Sequence, residues 1–364
     1  MKKLSLLISL LIFLLSSFVN AEVTIASWGG AYTESQIKAY RNTYTKPSSI
    51  KFVNYNGGLR EVRDQVESGN VKWDLIDVLP DQAINGCNEG LFENISSKYN
   101  KFPKGPNNTN IIKDMQLTGI PFNLSDCCVP QIFWSYVVFY DPDSFSGIKP
   151  TTVADFFNVK KFPGKRGVHT WANAIVQMAL MADGVDVEDV YRVLGTQNGQ
   201  NRAFKKLNKI KKHIIHWSAG PKPLKLVKSG EVVMSIAYNG RVGAAVLAEG
   251  ENYEYIWDSQ VLEQEFLCLV AGSKNRKQAL DFLQHASSPE SLAEQARYIT
   301  YGPMRASSVD IIAGNEPWFH NGKNVYDHIP NIPERLATSL MADPNWWYDN
   351  GREIDERYAA WMGN

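Results

Sequence analysis

Three times in the first eighty residues, a short apolar stretch leads into a turn and then a helical pattern. Val23-Thr24-Ile25 precedes Trp28-Gly29-Gly30-Ala31-Tyr32. Thr33 and Gln36 then have capping-box spacing, which predicts a helix over 33–44. Residues 50–53 precede Tyr55-Asn56-Gly57-Gly58 and a helix over 59–68. Residues 74–78 precede Leu79-Pro80-Asp81 and another helix. This alternation demands a largely parallel sheet, because parallel neighbours need a crossover between them. It also gathers the three turns at the carboxyl ends of strands, where open α/β sheets bind ligands.

The alternation continues. Residues 132–140 form a long aromatic strand before Asp141-Pro142, long enough to cross between two lobes. Helices are predicted at 152–156, 174–181, 187–194 and 202–212, and strands at 214–217 and 232–238. The second of these strands runs into Asn239-Gly240-Arg241 and a helix over 242–249. Separate strands follow at 253–257 and 266–270, the latter crossing back. Helices at 277–285, 290–298 and 354–361, with a turn at Tyr301-Gly302-Pro303, complete the chain. Residues 94–123, rich in Asn, Pro and Lys, read as a surface excursion. The length suits two lobes better than one core. The expected division is 22–136 with 265–308, and 137–264 with 309–364.

Met1-Lys2-Lys3, an apolar run to Val19 and Val19-Asn20-Ala21 have the form of an export leader, 1–21, cleaved after Ala21. The run is short for a membrane span, and no cysteine follows it to carry a lipid. The whole chain has 38 basic and 38 acidic residues. Loss of Lys2 and Lys3 leaves 36 against 38, a net charge of −2. That gives no footprint for nucleic acid or an anionic membrane. Export permits disulfides. Cys87 is expected to pair with Cys127 first and Cys128 second, and Cys268, in an apolar strand pattern, reads as an inert thiol.

Enzyme signatures are missing: G-x-S-x-G, H-E-x-x-H, the P-loop and G-x-G-x-x-G do not occur. The six histidines show no metal spacing, and no Tyr-Tyr pair suggests ferric iron. Asn94, Asn107 and Asn123 begin glycosylation-type triplets, which carry no argument beside this leader. The composition offers aromatics instead, 10 Trp and 16 Tyr. Trp28, Tyr32, Tyr55, Trp171, Trp217, Tyr238 and Tyr301 fall at strand ends, and Trp134 lies on the crossing strand. Clustered aromatic faces attract cations, best those that water hydrates poorly.

Trp28-Gly29-Gly30-Ala31-Tyr32, Tyr55-Asn56-Gly57-Gly58, residues 73–78 and Ala237-Tyr238-Asn239-Gly240-Arg241 resemble the periplasmic solute-binding proteins of ABC importers, in the spermidine/putrescine-binding branch. The resemblance extends through residues 150–157 and Tyr301-Gly302-Pro303. It implies a two-lobed α/β fold of type II, with mixed sheets flanked by helices. The ligand would lie in the inter-lobe cleft, which closes on binding. It implies a monomer in the periplasm that delivers a small solute to an inner-membrane ABC permease, without cofactor, metal or catalysis. The pattern Gly86-Cys87-Asn88-Glu89-Gly90 with Asp126-Cys127 also resembles this family, and favours pairing Cys87 with Cys127.

Trp28, Tyr32, Tyr238 and Tyr301 match the family's aromatic positions. Its acidic pair does not carry over, since His169-Thr170-Trp171-Ala172-Asn173-Ala174 contains no acid. Asp81 is the one acid placed near the cleft, and Arg241 follows Tyr238. An aromatic cage with an arginine and few acids suits a zwitterion, with its carboxylate on Arg241. Sulfonium and quaternary ammonium groups need faces rather than acids. The expected ligand is therefore an onium zwitterion such as dimethylsulfoniopropionate or a betaine, with polyamines or γ-aminobutyrate as alternatives.

Overall fold

The computed structural model describes residues 22–120, 122, 125–314 and 319–363. The leader at 1–21 and Asn123 of the third triplet lie outside these residues. The strands are β1 (Val23–Ser27), β2 (Ile50–Asn54), β3 (Leu75–Val78), β4 (Cys128–Tyr140), β5 (Arg166–His169), β6 (Ile214–Trp217), β7 (Met234–Tyr238), β8 (Glu254–Leu269), β9 (Gly302–Pro303) and β10 (Leu340–Met341). They join one curled mixed sheet in the order β2-β1-β3-β8-β4-β7-β5-β6, with β9 on β4 and β10 on β8.

The outer pairs are parallel, as the alternation of strand and helix requires: β1 with β2 and β3, and β5 with β6 and β7. The centre is antiparallel, β3–β8–β4–β7. β4 is apolar on both faces apart from Gln131 and Ser135, in keeping with the burial of twelve of its thirteen residues. Separate hydrophobic clusters form on either side of the central strands. One packs β1 and β3 against helix Arg276–Ala286 through Val23, Ile25, Leu75, Phe282 and Leu283. Another packs β5 and β7 against helix Ile175–Met181 through Val168, Val176, Leu180 and Ile236.

The structure corrects several expectations. The strands expected at 253–257 and 266–270 are one strand, β8. It runs on through the polar Asp258-Ser259-Gln260, with Ser259 in the left-handed region, at φ 59°. The first helix begins at Gly30, three residues early. Gly29 adopts φ 77° and frees the turn for the Thr33 hydroxyl, which accepts a bond from the Gly29 N–H at 2.8 Å. The Tyr301-Gly302-Pro303 turn includes β9. The last helix starts ten residues early, at Pro344, where the Asp343 carboxylate accepts from the Asn345 and Trp346 N–H groups. Trp346-Trp347-Tyr348 is therefore helical.

The polar composition of 94–123 concealed a buried anchor. Ile95, Tyr99, Phe102, Ile111 and Met115 enter the core. Asp114 meets the fully buried Arg305 at 2.6 Å and also accepts from the Ser307 N–H and hydroxyl. Removing one partner alone would strand a buried charge.

Of the two partners considered for Cys87, the structure joins Cys127, with Cα atoms 5.7 Å apart. Cys268 is not a free thiol. It is bonded to Cys128, which lies directly opposite it on the antiparallel β4–β8 pair. Adjacent cysteines thus bond to different elements. They tie helix Pro80–Asn88 to β4, and β4 to β8. Chain entropy makes each link worth on the order of 4 kcal/mol for loops of this length. Peptide mapping without reduction is expected to recover Cys87–Cys127 and Cys128–Cys268, and reduction to lower the melting temperature. Free thiols in the folded, exported protein would contradict both links.

Candidate functional site

A cavity of about 550 Å³ opens where turns from both sides of the sheet meet. Trp28 and Gly29 follow β1, and Leu79, Pro80 and Asp81 follow β3. Trp171 and Asn173 follow β5, and Tyr238 ends β7 with Arg241 just beyond. Ile132, Trp134 and Tyr136 of β4, with Glu263 and Glu265 of β8, form its base. Tyr301 lines it too, as do Trp347, Tyr348, Arg352 and Asp355 of helix Pro344–Met362.

Trp28, Tyr32, Asp81, Trp134, Trp171, Tyr238, Arg241 and Tyr301, all expected from sequence, line this cavity. Tyr55 and Trp217 do not, and stand one layer behind. Tyr55 is buried with its ring 5.0 Å from Trp28, and its hydroxyl donates to the Asp77 carbonyl. Trp217 is buried against Tyr238, at 5.8 Å, and His169. Both brace the lining rings. Trp28 also needs Gly57, where a Cβ would approach its ring to 2.7 Å and φ is 82°. Trp134, Tyr136 and Tyr238 form a mutual cluster with centroids 5.1–5.5 Å apart. Tyr32 and Tyr301 lie 6.1 Å apart. Trp171 and Tyr348 stay well exposed, at 57% and 71%.

Asp81 is not the one acid. Glu263, Glu265 and Asp355 join it in the lining. Glu263 and Glu265 are two residues apart on β8 and so project from the same face. Glu265 accepts a bond from the Trp28 indole N–H at 2.7 Å, and Glu263 from the Asn173 amide at 2.8 Å. Behind them the fully buried Asp77 accepts from Gln36, whose amide oxygen accepts from the Ser27 hydroxyl. The other Asp77 oxygen and the Tyr32 hydroxyl have no hydrogen-bond partner among the described residues. Burial pushes the Glu263 carboxyl up to about 7. It also raises Glu265, with the Asp77 charge adding to the shift, and raises Asp77 and Asp81. The sequence showed Glu263-Gln264-Glu265, but without β8 as one strand nothing placed this alternation in the cleft.

Arg241 is the opposite case. It is half-buried and makes no ion pair among the described residues. Its side chain lies against Gly220, where a Cβ would come within 2.6 Å of Nε. Asn239, buried beside it, accepts from the Ser135 N–H and donates to the Thr300 carbonyl, fixing the start of its helix. Among the described residues the lining contains no serine, threonine, cysteine, histidine or lysine. It offers aromatic faces, carboxyl groups and one enclosed guanidinium, a set suited to holding a charged solute reversibly.

A family model described as bacterial extracellular solute-binding protein matches residues 37–325. The gamma-aminobutyric acid-binding protein of Pseudomonas aeruginosa is 33% identical over 344 residues, 94% of this chain and 91% of its own. An ABC transporter substrate-binding protein from Bradyrhizobium japonicum superposes with TM-score 0.78 at 29% identity, over 94% of this chain and 99% of that one. The Atu4243 GABA receptor gives 0.73 at 28%, over 94% and 97%. These relatives are solute-binding proteins rather than enzymes, and the curled mixed sheet flanked by helices is theirs as well. The chain belongs to the bacterial extracellular solute-binding protein family, as a substrate-binding protein of an ABC transporter.

Proposed function

We propose that the cavity captures a short zwitterion with a primary ammonium at one end and a carboxylate at the other, of the γ-aminobutyrate type. Glu263 and Glu265 receive the ammonium and Arg241 receives the carboxylate. The observation that carries this reading is that carboxyls and a guanidinium, none of them ion-paired among the described residues, line one aromatic-walled cavity. A primary ammonium donates three N–H bonds, and the buried carboxyls have acceptor capacity left to meet them. The GABA-binding relative, at 33% identity, supports the same class.

An onium zwitterion, dimethylsulfoniopropionate or a betaine, is the second reading, favoured by the rings of Trp28, Trp134, Trp171 and Tyr238. It brings Glu263 and Glu265 no N–H donor beyond those of Asn173 and Trp28, which ranks it lower than the sequence alone suggested. A polyamine suits the carboxyls but leaves Arg241 facing a cation. Export to the periplasm, a monomeric state and hand-over to an inner-membrane permease complete the proposal. Residues 22–136 with 265–308, and 137–264 with 309–364, would close on the ligand as two lobes.

Titration calorimetry with γ-aminobutyrate, its N-trimethyl analogue, dimethylsulfoniopropionate and putrescine tests the reading. γ-Aminobutyrate is expected to bind most tightly. Arg241→Ala is expected to weaken it by about 2 kcal/mol or more, because the ligand carboxylate loses its partner. Glu265→Gln should weaken γ-aminobutyrate and spare the trimethyl analogue. Tighter binding of the trimethyl or sulfonium compound would transfer the assignment to an onium solute. Closure predicts a smaller radius of gyration with bound ligand in small-angle scattering, and identical profiles would contradict it.

A further inference from the structure

The cavity contains more acid than its bases or a zwitterion can balance. Four carboxyls line it, Asp81, Glu263, Glu265 and Asp355, with Asp77 buried behind. Two guanidiniums oppose them, and Arg352 is largely solvent-exposed, beside Glu356 at 3.6 Å. Arg241 is half-buried and makes no ion pair among the described residues. A zwitterion adds one charge of each sign and leaves the excess untouched.

We infer that Asp77, Glu263 and Glu265 hold protons in the empty cleft, and that capture of an ammonium expels one of them. The inference rests on the proposed ammonium site and adds its linkage to pH. Geometry supports it first. Asp77 on β3 pairs with Leu267 on β8, so Glu265 and Glu263 follow Leu267 along the same face of the sheet. Glu265 thus lies between Asp77 and Glu263 along one face, and all three are buried without an ion-pair partner among the described residues. Burial, and for Glu265 the neighbouring negative charges, oppose their ionisation.

The other elements facing this corner supply no compensating charge. The turn after β1 offers the Trp28 N–H, and helix Gly30–Gln36 the Tyr32 hydroxyl and the Gln36 amide. Beyond them, Tyr40 and Tyr55 face Asp77. β4 and β7 present Tyr136 and Tyr238 to Glu263, and the loop after β5 presents Asn173. Tyr301 lies near Glu265. Asp81 adds a further negative charge toward both glutamates. Arg241 acts on Tyr238 and Tyr301.

The sign follows. Burial raises these carboxyls in the empty protein, Glu263 to about 7. An ammonium beside them lowers them again. Between the two values binding releases a proton, and affinity rises with pH. Above the upper value the cluster is already ionised and the dependence ends. One proton corresponds to at most about tenfold in affinity per pH unit.

Calorimetry with γ-aminobutyrate in buffers of different ionisation enthalpy counts the protons. About one is expected near pH 6.5 and none near pH 9, with fewer at the lower pH for Glu263→Gln. Infrared spectroscopy of the ligand-free protein provides a second readout. A protonated-carboxyl C=O band is expected at the lower pH, weakened by raising the pH and by Glu265→Gln. Binding with buffer-independent heat and no such band would overturn the proton store and leave the ligand assignment intact. A band without γ-aminobutyrate binding would overturn the ligand and sustain the protonated cluster. Ornithine binding more tightly than γ-aminobutyrate without proton release would show cations balancing the excess, and would also overturn the inference.

Discussion

The antiparallel pairing of β4 with β8 is the constraint on which the rest depends. These two long strands run through the middle of the sheet and carry the parallel strands on either side. Their burial fixes which residues face the cavity, because a one-residue slip would turn every side chain over. The correct register brings Trp134 and Tyr136 from one strand, and Glu263 and Glu265 from the other, to the base of the same cavity. The Cys128–Cys268 bond joins residues directly opposite each other in this register and locks it. The neighbouring bond from Cys127 to Cys87 extends the lock to the helix that opens with Pro80 and Asp81.

On that frame the site, in the proposed reading, separates two kinds of recognition. Rings supply shape and a surface for the methylenes and charge of a solute, while Tyr55, Trp217 and Gly57 hold the lining rings in place. Charged groups supply orientation. Among the described residues Glu263, Glu265 and Arg241 make no ion pair, which in the proposed reading leaves them to the solute. Carboxyls pushed up by burial concentrate where function needs them.

The outer parts of the sheet were legible in the sequence because each strand, turn and helix is a local unit. Trp28, Tyr32 and Tyr238 stood out as large rings at the ends of β-branched runs, and they do line the cavity. The antiparallel centre was not legible. Ser259 carries a left-handed turn inside a strand, which reads locally as a break. With β8 split in two, Glu263 and Glu265 fell in a connection, and Cys268 had no visible partner. The same limit hid the helical Trp347 and Tyr348, whose start depends on the Asp343 cap rather than on periodicity. Asp114 was unreadable for another reason, since its partner Arg305 lies 191 residues away. The shortage of acids read after β5 was real locally. It misled because the carboxyls enter from a strand distant in sequence.

The central claim is that one solute bridges the β8 carboxyls and Arg241. A crystal structure of the complex with γ-aminobutyrate tests it most directly. The account predicts the ammonium nitrogen within hydrogen-bond distance of Glu263 or Glu265, and both carboxylate oxygens on the Arg241 guanidinium. An ammonium held by ring faces alone, or a carboxylate turned away from Arg241, would contradict it.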